Sequence, residues 1–141
     1  MRIVLDTNVL VSGLLQPLGN PAQVLSLALS GAIQVCHDDR ILAEYAEVLV
    51  RPRFKLDAAH VRDVLAKLEL DGVAVDASGQ SSLGLPDPDD EPFLAVALAV
   101  AADFLVTGNL ADYPKQKCKG CAVVSPAEFM ERWKNPARKP Q

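Results

Sequence analysis

The feature that most constrains the fold is an alternation along the chain. Short, largely apolar runs alternate with segments of helical spacing. Residues 3–5, 33–36, 73–75, 104–107 and 122–124 read as brief strands, bounded by polar residues or glycine. A helix opens near Pro21, with Asn20 as its N-cap, and runs to Gly31. Asp38 or Asp39 opens a second helix, "DDRILAEYAEVLVR", which Pro52 stops. Residues 58–70 align Val61, Val64, Leu65 and Leu68 along one stripe. Residues 92–102 form an apolar, alanine-rich helix, and Ser125, Pro126 and Glu128 open the last one as a capping box. Strands separated by helices predict an α/β domain with a mostly parallel sheet and helices on both faces. One domain over residues 1–134 accounts for this pattern, leaving "NPARKPQ", 135–141, as a flexible tail.

In parallel sheets, ligands gather at the carboxyl ends of the strands. Asp6 directly follows the first run and precedes a second apolar run, 9–11, that starts a helix. An Asx turn or helix cap explains such an aspartate as well as a ligand does. Thr7, Asn8 and Ser12 suit either reading, as orienting groups or as part of a cap. Glu44 lies three residues after Ile41 and four before Val48, at the edge of its helix's apolar arc. A boundary residue with a packed stem and a wet head would sit there too. "DPDDEPF" supplies Asp87, Asp89, Asp90 and Glu91 at one helix start, where a single acid satisfies the dipole. A cation is a natural reason for the excess, with solvated loop charge as the plain alternative. Beyond the strand that ends Val106-Thr107, "GNLADY" places Asn109 and Asp112.

Carboxylates without neighbouring histidine or cysteine suit Mg²⁺ or Mn²⁺ rather than zinc. The single CxxC, Cys118–Cys121, lacks two further ligands for a structural zinc site. Three cysteines fit a reducing compartment better than a disulfide framework. No signal peptide and no apolar run of membrane length are found, so the expected location is the cytoplasm. The net charge of −4 provides no global field for a polyanion, so any nucleic-acid contact must rely on local basic groups or metal. Arg51, Arg53 and Lys55, and separately Lys115, Lys117 and Lys119, are the local candidates for phosphate contact. Neither a phosphate-binding glycine loop nor a nucleophile triad is present, which leaves metal-assisted hydrolysis of a phosphodiester. A phosphatase of the haloacid-dehalogenase kind needs a second acid two residues after the first, where Asn8 stands.

"VLDTNVLVSGLL", "ILAEYAEVLVRPRF", "DPDDEPFLAVALAVAADFLVTGNLADY" and "VVSPAEFMERW" together resemble the PIN-domain family. They are most similar to the branch of VapC-like ribonucleases that act as toxins of toxin–antitoxin pairs. The resemblance implies a three-layer α/β/α fold with a central sheet of about five strands and a Mg²⁺- or Mn²⁺-dependent ribonuclease. It implies a cognate antitoxin and a homodimer as partners, and no membrane. The family's acids map onto Asp6, Glu44, Asp90 and Asp112, as catalytic groups and metal ligands, with Asn8, Ser12, Thr107 and Asn109 in support. The sequence departs from the family where Asn109 follows Gly108, a position many relatives fill with aspartate. Asp89 competes with Asp90 for the third place, and a non-catalytic module that binds RNA or protein is the alternative to an enzyme.

Overall fold

The computed structural model describes residues 1–136. Five strands form one sheet: β1 (Arg2–Leu5), β2 (Gln34–His37), β3 (Val73–Ala74), β4 (Phe104–Val106) and β5 (Val123–Val124). Their order is β3-β2-β1-β4-β5, and every neighbouring pair is parallel, so the sheet is wholly rather than mostly parallel. The flanking helices are α1 (Thr7–Leu15), α2 (Asn20–Leu29), α3 (Asp39–Leu49), α4 (Ala58–Asp71), α5 (Glu91–Val100) and α6 (Pro126–Lys134). Among the described residues, no helix is long and apolar enough to cross a membrane. Of the expected tail, 135–141, residues 137–141 lie outside the described residues.

Three local expectations shift for identifiable reasons. The N-cap of α2 is Gly19, not Asn20, and no side chain caps it. The Gly19 carbonyl already accepts from Gln23 N–H at 3.2 Å, which draws Asn20 into the first turn. The second strand starts at Gln34 rather than at Ile33. Ile33 N–H turns back to the Leu27 carbonyl at 3.3 Å, and the ladder begins with Gln34 opposite Arg2. The helix before Pro52 ends at Leu49, and Pro52–Phe54 adds a short 3₁₀ turn. At α6 the predicted cap forms, with Ser125 Oγ accepting from Glu128 N–H at 3.1 Å.

Ile3, Val4 and Leu5 are fully buried, as the central strand of a two-sided parallel sheet requires. The chain adds strands to one side of β1, then crosses over to place β4 on the other side. The switch point is therefore between β1 and β4, where the loops leaving the two strands part and open a crevice. Asp6 and Thr107, the residues that immediately follow those strands, stand at this point.

Candidate active site

The Asp6 backbone N–H still belongs to the sheet, donating to the Val106 carbonyl at 2.9 Å. Its side chain caps α1: Oδ1 accepts from Thr7 N–H at 2.8 Å. The cap and the ligand readings of Asp6 therefore describe one residue. The other oxygen, Oδ2, accepts from Thr107 Oγ1 at 2.8 Å and from the Tyr113 hydroxyl at 3.1 Å. Thr107 is a hub, since its hydroxyl also accepts from Asn109 N–H at 3.0 Å and Asn8 Nδ2 at 3.4 Å. Asn8 Oδ1 in turn accepts from Gly108 N–H at 2.8 Å, tying the start of α1 to the loop after β4. Burial raises the Asp6 pKa, although Thr107, Tyr113, Thr7 N–H and Asn8 all favour its charged form.

Glu44 reaches this point from α3. The adjacent Tyr45 is fully buried and donates its hydroxyl to the Leu5 carbonyl at 2.5 Å, which fixes the helix against the end of β1. Glu44 Oε2 then accepts from Thr7 Oγ1. Burial raises its pKa first, and the charges of Asp6, Asp89 and Glu47 raise it further. Asp90 arrives at the start of α5. Its Oδ2 is buried without a hydrogen-bond partner, whereas Asp89 is exposed. Its pKa is pushed up to about 7, by burial first and then by Asp6, Asp112, Asp87 and Glu44. Asp112, half-buried in the 3₁₀ turn Leu110–Asp112, is thus near enough to act on Asp90.

The four acids share one electrostatic neighbourhood, but they do not form a closed cage. Among the described residues, no three acidic, histidine or cysteine side chains stand close enough to grip one ion as they are. Uncompensated carboxylates repel one another, and Mg²⁺ keeps several of its waters while taking only one or two carboxylates directly. The donor set is all oxygen, and the orphaned Asp90 Oδ2 is an acceptor awaiting a partner. On both counts the residues fit a hard divalent cation.

The supporting residues separate. Asn8 and Thr107 orient Asp6 as described, whereas Asn109 contributes its backbone N–H and keeps an exposed side chain. Ser12 and Arg53 line a cleft of about 300 Å³ with Asp6, Thr7, Asn8, Val11, Val48 and Phe54. Arg51 instead pairs with Glu47 at 2.8 Å, and Lys55 is exposed beyond this cleft's lining. Lys115, Lys117 and Lys119 are exposed as well. Sequence reasoning missed Tyr113 as a partner of Asp6. Its position directly after Asp112 was the available signal, but an aromatic after an acid reads equally as packing.

The acids, with their all-oxygen donor set, lie at the switch point of a wholly parallel sheet. The profile of the PIN domain matches residues 2–111, and the chain belongs to the PIN-domain family. PIN domains are generally nucleases that use divalent metal ions and bind RNA. No curated protein matches the chain.

Proposed function

We propose that this PIN-domain protein is a Mg²⁺- or Mn²⁺-dependent endoribonuclease, and the toxin of a cytoplasmic toxin–antitoxin pair. The observation that carries the catalytic reading is Asp90: a buried, unpartnered carboxylate oxygen crowded by the charges of Asp6, Asp112, Asp87 and Glu44. Asp6, Glu44, Asp90 and Asp112 would hold the metal. When bound, it would lower the pKa of a water and neutralise charge on the scissile phosphate. Thr107 and Tyr113 orient Asp6 through their hydroxyls and favour its charged form against the opposing effect of burial, and Thr7 does the same for Glu44. Arg53 carries positive charge into the cleft beside Asp6, where a phosphate of the substrate needs it. The toxin role, the antitoxin and the homodimer rest on the resemblance of "VLDTNVLVSGLL" and its companion segments.

A second reading is an RNA- or protein-binding module without catalysis. Asn109 favours it, because an exposed amide rather than a further acid follows Gly108, the position where the sequence departs from the resemblance. RNA cleavage measured with Mg²⁺ or Mn²⁺, with excess chelator, and by Asp6→Asn separates the two. The enzyme reading requires cleavage that chelator and the substitution each abolish. Cleavage unchanged in Asp6→Asn refutes the site, and no cleavage under any condition selects the binding module.

A further inference from the structure

Of the seven aromatic side chains, six belong to the core or pack against it. Tyr45 meets Phe93, Phe129 meets Phe104 and Trp133, and Tyr113 lies buried beside Asp6. Among the described residues, Phe54 alone does not join the core cluster. It is half-buried in the cleft that holds Asp6 and Ser12, and the Arg53 guanidinium lies over its ring, 4.8 Å from the centroid. Arg53 is the outer layer of this pair, being exposed where the ring is half-covered. No carboxylate pairs with Arg53 among the described residues, in contrast to Arg51, which Glu47 neutralises. The chain geometry presents the pair: Pro52 opens the 3₁₀ turn, and Lys55 closes it at φ 53°, in the left-handed region.

A guanidinium is planar, so its face and its edge can be used at once. The face stacks on rings, while the N–H groups around the edge bind phosphate oxygens in pairs. An aromatic ring behind it keeps the plane from turning. A volume of about 300 Å³ lies at the lower end of ligand pockets and suits a single nucleotide. We propose that Arg53, backed by Phe54, forms a nucleotide subsite beside Asp6. An unpaired RNA base stacks on the guanidinium face while the guanidinium edge holds the adjoining phosphate. The subsite rests on the ribonuclease reading for its ligand. It does not depend on catalysis, because stacking and phosphate contact are binding events.

The test is anisotropy of fluorescein-labelled octaadenylate with Mg²⁺ in the Asp6→Asn background, where asparagine remains a competent helix cap. Inorganic polyphosphate of matched charge serves as a competitor that has no bases. Arg53→Lys keeps the charge and removes the plane, and Phe54→Leu keeps apolar volume and removes the ring. Each should weaken octaadenylate binding about 5- to 100-fold, the range for loss of one stacked base, and leave polyphosphate competition within about twofold. Circular dichroism of each variant verifies that the fold is intact. Octaadenylate binding within about twofold of the parent in both variants, or no binding by the parent itself, overturns the subsite. Failure of the nuclease reading shows separately, as a wild-type protein that binds octaadenylate but does not cleave it.

Discussion

The ends of β1 and β2 are built alike and behave differently. Each strand runs buried to its last residue, and each is followed by an aspartate that caps the next helix: Asp6 for α1, and Asp38 for α3, where Oδ1 accepts from Ile41 N–H at 3.0 Å. Asp38 then meets Arg40 at 2.7 Å, and its charge is balanced on the protein surface. Asp6 has hydroxyl donors but, among the described residues, no ion-pair partner, and three further acids gather around it. Cavity size points the other way. The space lined by His37, Asp38, Asp39, Glu69 and Asp76 is about 690 Å³, against about 300 Å³ at Asp6. What separates a cap from a candidate site is therefore uncompensated charge, not the local motif and not volume.

Substituting the two caps identically breaks the comparison most directly. Asp6→Asn should lower RNA cleavage on the order of 10³-fold, the scale of losing a group that supports transition-state charge. Asp38→Asn should leave cleavage within about twofold, because asparagine caps as well as aspartate and an exposed ion pair contributes little. Comparable losses in the two variants would mean that the two aspartates serve alike as caps.

Asp90 sharpens it through pH. Its folded pKa near 7 stands above the ordinary 3.8, so folding favours the protonated form. That contribution to stability is complete below about pH 4 and is lost as pH rises through about 7. In chelator, Asp90→Asn should raise the melting temperature at pH 8 on the order of 5 °C and change it little at pH 4. Added Mg²⁺ should stabilise the wild type more than the variant at pH 8. Parallel melting curves for the two proteins across this pH range would contradict the crowding of Asp90.

Tyr113→Phe deletes one of the two hydroxyl donors to Asp6 Oδ2 while keeping the buried ring. A loss of Mn²⁺ affinity of about tenfold by calorimetry is expected, since groups that orient metal ligands typically contribute at this level. Unchanged affinity would make Tyr113 a packing residue only. The smallest effect belongs to Asn109→Asp, which adds an acid at an exposed position. It should raise Mn²⁺ affinity by no more than about threefold in the same titration, in keeping with the weak pull of a solvated charge.

Much of the fold was legible in the chain. Residues 3–5 and 104–106 read as strands and form them, and the helices at 58–70 and after Ser125 carry their own stripe and cap. Boundaries moved where a backbone hydrogen bond outweighed a side-chain preference, as at Gly19 and Ile33. Asp6, Glu44, Asp90 and Asp112 were each readable as chemistry-bearing residues, though each had an ordinary explanation beside the functional one.

By itself the sequence determined that five short strands alternate with helices, and that acids follow or precede several of them. Those are local matters of spacing, capping and hydrophobicity, which neighbouring residues settle among themselves. Only the tertiary structure decided which acids share a neighbourhood, because the order β3-β2-β1-β4-β5 brings segments about a hundred residues apart to one crevice. It buried one Asp90 carboxylate oxygen without a partner while leaving Asp89 exposed, and it made Tyr113 a hydrogen-bond partner of Asp6. It also set Arg53 apart from Arg51, because an ion pair and a cleft are properties of position in space that residue type does not record.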